Sequence, residues 1–168
     1  PWQVNSIMYA ISSQNGTEVF NTELVGYSIY RNSPTVFNDS LFINQTRYIE
    51  GVNALNGSRY LFKQSDDLSD GAWELAVDND FTYSCHDDGI QLRDKTTGER
   101  IATITDTDVQ SPLLDGYGNI IVYQTTQLRS HDIETQTRNW VLDLASSTPI
   151  QKVAIRRNTV IAITQEVM

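Results

Sequence analysis

Cysteine, proline and long apolar runs are all scarce in this sequence, and two of these scarcities each exclude a class of protein. The one cysteine, Cys85, has no partner in the chain, so internal disulfides do not hold the fold together. No apolar run approaches the roughly 18 residues that a membrane-spanning helix needs. We therefore expect a domain without a membrane span, whose four prolines are few enough to mark individual strand ends.

Positive charge is also scarce. The chain carries 12 Lys and Arg residues against 21 Asp and Glu residues, which gives a net charge of −9. Because an acidic surface repels the phosphate backbone, we do not expect nucleic acid as a partner. Because 39% of the residues are hydrophobic, the sequence predicts a folded protein. Because no segment has a convincing helical period, it predicts an all-β fold.

A five-residue turn sequence, polar–x–x–x–Gly, recurs along the chain. Its copies are Ser12–Gly16, Asn53–Gly57, Asp94–Gly98 and the degenerate Asp132–Gln136. Their last residues, 16, 57, 98 and 136, are separated by 41, 41 and 38 positions. A fixed period of this size with β-type residues between the turns is typical of a β-propeller.

Each turn residue has a predicted structural role. Gly16, Gly57 and Gly98 supply the positive φ that a tight turn between two strands requires. The first residue of the turn, such as Asp94 or Asp132, accepts a backbone N–H hydrogen bond. We therefore interpret these five residues as structural turn residues.

The segments between the turns predict four strands per unit. The second strands begin at positions 41, 81, 120 and 160 and are rich in β-branched and aromatic residues. We predict one domain, 1–168, built as a small propeller of four four-stranded blades. The predicted blades are about 25–64, 71–106, 111–144, and a last blade that combines 148–166 with 5–24.

The last predicted blade takes its strands from both ends of the chain. The C-terminal segment supplies strands one and two, and the N-terminal segment supplies strands three and four. Pairing them would close the ring and remove two exposed sheet edges. The alternative is that the chain is half of an eight-bladed ring or a piece of a longer parent, so we predict a monomer or a homodimer.

Four N-glycosylation sequons begin at Asn15, Asn38, Asn44 and Asn56. Two of them, Asn15 and Asn56, are also Asn-Gly turn residues. They favour an extracytoplasmic location, which means secreted, lumenal or periplasmic.

The third and fourth turns lie in the phrases LRDKTTGER, 92–100, and DIETQTRNW, 132–140. These phrases resemble the pyrroloquinoline-quinone-like propeller repeat, apolar-x-A-x-D-x-x-T-G-x-x-x-W. Trp140 matches the terminal tryptophan of that repeat, and Phe20, Leu61 and Ala102 stand in its place in the other units. The family includes quinoprotein dehydrogenases, which are enzymes, and outer-membrane assembly scaffolds of the BamB type, which are not. The resemblance therefore implies a propeller and leaves the activity open.

The reactive side chains do not form a recognisable catalytic site. Quinoprotein dehydrogenases tend to carry an adjacent cysteine pair, and this chain has only Cys85. Adjacent strand residues point to opposite faces, so we interpret Cys85 and His86 as strand residues before a turn and not as a thiolate–imidazole pair. We predict no catalytic residue and no bound cofactor.

Two acidic pairs leave calcium open as an alternative ligand. They are Asp78 with Asp80, and Asp106 with Asp108, and they lack the remaining ligands of a known calcium loop. The ordinary interpretation is that these carboxylates accept backbone hydrogen bonds in turns. His131, beside Asp132, is expected to be exposed.

Tyr117, Trp73, Arg156 and Arg157 are the candidate interface residues. Tyr117 stands between Gly116 and Gly118 at a turn tip, and the two arginines lie in a turn between a first and a second strand. Tyrosine, tryptophan and arginine contribute much of the energy at protein interfaces. Further candidate contact aromatics are Trp2, Tyr27 and Tyr30.

These observations favour a non-catalytic binding or scaffold module that presents its loops to a protein partner. The alternative is a carbohydrate-binding or adhesin-like extracellular domain. A third hypothesis is a fragment of a quinoprotein dehydrogenase.

Overall fold

The computed structural model describes residues 6–24, 34–45, 48–64, 74–144 and 148–164. Every regular element in these ranges is a β-strand, and every strand pairing is antiparallel, which confirms the predicted all-β propeller class. The strands are β1 Ser6–Ile11, β2 Glu18–Leu24, β3 Thr35–Phe37, β4 Ser40–Gln45, β5 Tyr48–Asn53, β6 Arg59–Gln64, β7 Leu75–Val77, β8 Phe81–His86, β9 Gly89–Asp94, β10 Arg100–Ile104, β11 Gln110–Leu114, β12 Asn119–Gln124, β13 Gln127–Asp132, β14 Arg138–Asp143, β15 Ile150–Arg156 and β16 Thr159–Thr164. Among the described residues, none forms a helix long and apolar enough to cross a bilayer.

Twelve of the strands form three complete blades in which chain neighbours are also sheet neighbours. Blade 1 is β3–β6, blade 2 is β7–β10 and blade 3 is β11–β14. The first strands of the three blades, β3, β7 and β11, contact one another in sequence, so they lie on the inner side of the array. In blade 3, the fourth strand, β14, is exposed along its whole length and lies on the outer side.

The remaining strands form two half blades. The N-terminal pair is β1–β2 and the C-terminal pair is β15–β16, each a two-stranded sheet of its own. In the part of the chain that the structure describes, no ladder joins β16 to β1. The structure therefore does not show the predicted closure of the ring.

The repeated turns share one geometry. In the turns that end at Gly16, Gly57 and Gly98, the glycine N–H donates to the carbonyl oxygen of the first turn residue at 2.8–2.9 Å. These glycines have φ near 72°, and Gln136 takes their place in the fourth turn with φ of 57°. The positive φ explains why the first three turns carry glycine.

Turn carboxylates add a second set of bonds. Asp94 Oδ1 accepts hydrogen bonds from the backbone N–H groups of Thr96 and Thr97 at 2.9 and 2.7 Å. Asp132 Oδ1 accepts from the Thr135 N–H at 2.6 Å. These bonds hold the pKa of both carboxyls below the ordinary range. Because the folded pKa is depressed, their contribution to stability is present above the unfolded pKa and is lost as the pH falls through the folded value.

Apolar side chains fill the spaces between the blades. The space between blades 2 and 3 contains buried residues from both sheets, chiefly Tyr83, Cys85, Ile90, Ile104, Ile120 and Val122. A second cluster lies between blades 1 and 2, and a third lies between blade 3 and the C-terminal pair. Successive residues of β12, such as Ile120 and Ile121, thus face different neighbours, and this strand, buried on both faces, has a continuous apolar run.

Buried charged groups connect the same elements. Asp106, in the loop between blades 2 and 3, accepts hydrogen bonds from Arg129 Nη1 and from His131 Nε2, the latter at 2.7 Å. The prediction that His131 is exposed is therefore wrong, because its strand β13 turns that side chain into the interior. Within blade 1, Arg59 Nε donates to the fully buried Glu50 at 2.9 Å, and Arg59 Nη2 reaches the Glu23 carbonyl of the N-terminal pair at 2.5 Å.

Candidate functional site

A cleft of about 340 Å³ opens between blade 3 and the C-terminal pair. Its walls are side chains of β12, β13 and β14 on one side and of β15 and β16 on the other, and turns form its rim. The lining residues are Asp115, Tyr117, Asn119, Ile121, Ser130, Asn139, Trp140, Ile155, Arg157, Asn158 and Val160.

The turn between β11 and β12 places Tyr117 at the rim. Gly116 and Gly118 have φ of 79° and 90°, which lets the chain reverse around the tyrosine. Asp115 Oδ1 fixes the turn by accepting from the N–H groups of Tyr117 and Asn119 at 2.7 and 3.0 Å. The Tyr117 side chain is left largely exposed, as expected for a turn tip.

A chain of polar side chains braces this wall of the cleft. Asn119 Nδ2 donates to Asp115 Oδ2 at 2.6 Å, and Asn139 Nδ2 donates to Asn119 Oδ1 at 2.8 Å. Both oxygens of Asp115 are thus engaged by the protein itself. The Asp115 carboxylate is therefore not a free ligand.

The opposite rim is cationic. Arg157, at φ of 53° in the turn between β15 and β16, lines the cleft beside Asn158. Arg156 is the last residue of β15 and is exposed, but it is not among the lining residues. A guanidinium that lines a cleft together with two aromatic side chains can bind a carboxylate or stack on a planar group.

The structure brings two of the four candidate interface residues, Tyr117 and Arg157, into one cleft. Trp73 lies outside the described residues, as do Trp2, Tyr27 and Tyr30. Trp140 stands out in the sequence only as a repeat position, and Asn139 carries no sequence signal of a site residue. The repeat marks the Trp140 position, and the structure shows how it differs from its equivalents. Leu61 and Phe20 are buried at this position, whereas Trp140 is exposed.

The densest group of reactive side chains is not arranged for nucleophilic catalysis. Cys85 is completely buried, and burial, with smaller contributions from the Asp106 and Glu74 charges, raises the pKa of its thiol. His86 is engaged through Nε2 with Ser84 Oγ at 2.8 Å. A buried thiol with a raised pKa carries almost no thiolate near neutral pH.

Cys85 should therefore be unreactive in the folded protein. A thiol-specific chromogenic reagent at pH 8 should modify no cysteine in native protein and one cysteine per chain in denaturant. Rapid modification of the native protein at the rate of a free thiol would contradict this placement. Because the chain has only this cysteine, the assay needs no control for other thiols.

The two acidic pairs serve the protein in different ways. Asp78 Oδ1 accepts from the N–H groups of Asp80 and Phe81 at 2.9 and 2.8 Å, and Asp78 Oδ2 accepts from Tyr83 Oη at 2.6 Å. Asp106 accepts from Arg129 and His131, whereas Asp108 Oδ2 accepts from Gln124 Nε2 at 3.4 Å. Within the described ranges, no three His, Cys, Asp or Glu side chains are grouped so that they could hold a metal ion.

No protein-family model matches the sequence, and no curated protein matches it either. Solved structures do match the fold. The WD40 beta propeller domain of Doa1 has a TM-score of 0.72 at 21% identity over 89% of this chain and 52% of that one. The computationally designed Ika8 protein has a TM-score of 0.70 at 12% identity over 88% and 46%, and BamB from Moraxella catarrhalis has 0.60 at 17% identity over 86% and 49%. The chain spans about half the length of each, and at these identities the likeness shows the fold, a β-propeller.

Proposed function

We propose that this chain is a non-catalytic binding module, with pyrroloquinoline-quinone-like propeller repeats, that holds a protein partner in the cleft between blade 3 and the C-terminal pair. The observation that carries the proposal is the convergence of Tyr117, Trp140 and Arg157 on this cleft. These three residue types dominate the energetic centres of protein interfaces. The aromatic rings offer apolar area at low entropic cost, and the arginine offers a directed charge.

The chemistry of the cleft favours a particular kind of partner segment. The whole chain has a net charge of −9, so Arg157 and the neighbouring Arg156 form a local cationic spot on an acidic protein. Such a spot attracts a carboxylate while the remaining surface repels acidic partners elsewhere. A segment with an acidic residue next to an apolar or aromatic one fits the rim and the Trp140 wall together.

The absence of catalysis is part of the proposal. It is supported by the buried thiol of Cys85 and by the engagement of Asp78, Asp106 and Asp115 with protein donors. The engagement of Asp78 and Asp106 also speaks against calcium at the two acidic pairs, since one carboxylate of each pair already satisfies neighbouring groups.

The proposed location is extracytoplasmic, and the sequons give it a test. Asn15, Asn38 and Asn56 are exposed, whereas Asn44 is buried in β4. Secretion from a eukaryotic host should therefore add glycans at up to three sites, and Asn44→Gln should leave the glycan mass unchanged. Mass spectrometry of the intact protein before and after enzymatic deglycosylation measures this. A glycan on Asn44 would contradict the buried position of that residue.

A carbohydrate ligand is the second candidate function. The observation that favours it is the volume of the cleft, about 340 Å³, which falls in the range of small-molecule sites and has Trp140 in one wall. A thermal-shift screen with mono- and oligosaccharides would show a raised melting temperature that Trp140→Ala abolishes. If no sugar raises it, this function is excluded for the sugars tested.

Photo-crosslinking identifies the proposed partner and tests its site. A benzophenone amino acid at position 117 should crosslink a discrete partner in the source cells, whereas the same residue at position 55 should not. Leu55 is a matched control because it is a similarly exposed turn residue on another blade. The partner is then purified and its affinity is measured by calorimetry.

Tyr117→Ala should weaken binding of that purified partner by about tenfold or more, which corresponds to 1.4 kcal/mol or more. Arg157→Glu should do the same, and Leu55→Ala should leave the affinity unchanged. Equal affinities for all variants, or equal crosslinking from positions 117 and 55, would exclude the cleft as the binding site.

A further inference from the structure

Repeat positions that are buried in the complete blades are exposed on the C-terminal pair. Ile161 of β16 occupies the place that Phe42, Tyr83 and Ile121 occupy in β4, β8 and β12. Ile121 is 3% exposed, whereas Ile161 is 49% exposed. Ile163, two residues further along the same face, is exposed as well. An apolar strand face of this kind is normally covered by the next blade.

The outer strand of blade 3 shows the same contrast. Leu142 of β14 corresponds to Ile104 of β10, since each lies six residues after the last residue of its turn. Ile104 is 1% exposed because blade 3 covers it, whereas Leu142 is 50% exposed. The strands that would cover Leu142 are the third and fourth of the blade that the C-terminal pair begins.

The N-terminal pair is exposed on the complementary side. Ile11 of β1 corresponds to His131 of β13, each the residue before the first residue of its turn. His131 is 2% exposed and Ile11 is 55% exposed. Ile7 and Tyr9 lie on the same face of β1 and are also exposed. Among the described residues, the C-terminal pair thus has no third strand beside β16, and no blade covers the outward face of β1.

We propose that β16 of one copy pairs with β1 of a second copy, so that the two half blades form one complete four-stranded blade. The register follows from the second-to-third-strand pairs within the blades, Phe42 with Gly51, Tyr83 with Leu92 and Ile121 with Ser130. It places Ile161 opposite Ala10 of the second copy. The occupant of the exposed sheet edge is thus a second copy of this chain.

Pairing in both directions makes a two-fold dimer with two identical interfaces and eight blades. Both copies then lose their unpaired β16 and β1 edges, and the assembly closes without further addition. The second copy also places its β1 and β2 over Trp140 and Leu142, whose equivalents Leu61 and Ile104 are buried under the next blade. In the dimer it therefore covers the Trp140 wall of the cleft. Tyr117 and Arg157 remain on the rim, and the inference does not depend on what binds there.

The inclination between blades favours a second copy over closure within one chain. This chain superposes with 86–89% coverage on only 46–52% of three solved structures. Its blades therefore follow the curvature of rings about twice its size, in which the first and last blades of a half lie far apart. A ring of four blades would need steeper angles between neighbours. The separate two-stranded sheets at the two ends agree with this curvature.

Light scattering of the full chain measures the proposed assembly. The unsubstituted protein should have twice the chain mass of 19.0 kDa at micromolar concentrations. Ile161→Glu should give the mass of one chain while retaining the β-sheet circular dichroism spectrum and a cooperative melt. Leu55→Glu, an equally drastic change at an exposed turn residue, should stay at twice the chain mass.

Disulfide trapping gives an independent result that does not depend on a disruptive variant. Ala10→Cys and Ile161→Cys chains, mixed and oxidised, should form an interchain disulfide faster than the mixture of Ala10→Cys with Ile163→Cys. The buried native thiol of Cys85 takes no part. A single-chain mass for the unsubstituted protein up to millimolar concentration overturns the proposal. So does an intrachain disulfide in a monomeric Ala10→Cys/Ile161→Cys double variant, which would indicate closure within one chain.

Discussion

Replacing Gly89 with alanine should lower the free energy of unfolding by about 3–5 kcal/mol, combining the strain of a disallowed backbone with a steric overlap. Gly89 begins β9 with φ of 135°, a conformation that residues with a Cβ rarely adopt. A Cβ at this position would lie 2.2 Å from the backbone carbonyl oxygen of Ile104 in β10. The Ile104 carbonyl belongs to the last residue of β10, which pairs with Ile90 of β9, so it cannot move aside without disturbing the end of the β9–β10 ladder. Urea denaturation followed by circular dichroism measures the loss.

Gly116→Ala is the matched control for this change. Gly116 also has a positive φ, 79°, but a Cβ there would meet no atom within 4 Å. The expected loss is about 1 kcal/mol, from backbone conformation alone. If Gly116→Ala destabilised as much as Gly89→Ala, the close approach of β9 and β10 would not be the cause.

Asp106→Asn should be the second strongly destabilising change, by about 3 kcal/mol, because it breaks a buried charge pair by removing one partner. Asp106 lies on the loop that leads from blade 2 to blade 3, and its buried carboxylate accepts hydrogen bonds from Arg129 Nη1 and His131 Nε2. An asparagine presents an NH₂ group to one of these two donors and removes the charge that compensates Arg129. Among the described residues, Asp106 is the carboxylate that joins the connecting loop to β13, and the substitution would weaken this connection between blades 2 and 3.

Asp108→Asn provides the control for this change, two residues further along the same loop. Asp108 is exposed, with its one described side-chain bond to Gln124 at 3.4 Å, and asparagine tolerates its φ of 61°. We expect a change within about 0.5 kcal/mol, as for ordinary surface sites. Equal losses for the two variants would indicate that the loop responds to lost charge in general and not to the buried pair.

The blades were predictable from the sequence because their determinants are local. The conformation of a turn such as Asp94–Gly98 is determined by its own residues, since the aspartate accepts backbone hydrogen bonds and the glycine supplies the positive φ. The β-prone second strands, such as 120–123, become buried between sheets on both faces. Each unit could therefore be interpreted within a window of about 40 residues, and the repeat multiplied the signal.

Features that depend on the arrangement of distant units could not be predicted in this way. His131 was expected to be exposed because it adjoins a turn, but its partner Asp106 lies 25 residues away in sequence. The cleft was partly predictable: Tyr117 stood out as a turn tip, whereas Trp140 became a site residue only because the next blade has two strands in place of four. Closure depends on the angle between blades, which no local pattern encodes.

Isotope-filtered NMR on an equal mixture of labelled and unlabelled chains tests the shared blade most directly. Cross-strand nuclear Overhauser contacts between Tyr83 and Leu92 and between Ile121 and Ser130 should appear within one chain, as the ladders require. The equivalent contact between Ile161 and Ala10 should appear only between labelled and unlabelled chains. A contact between Ile161 and Ala10 within one chain, or no such contact in a protein that shows the other two, would contradict the shared blade.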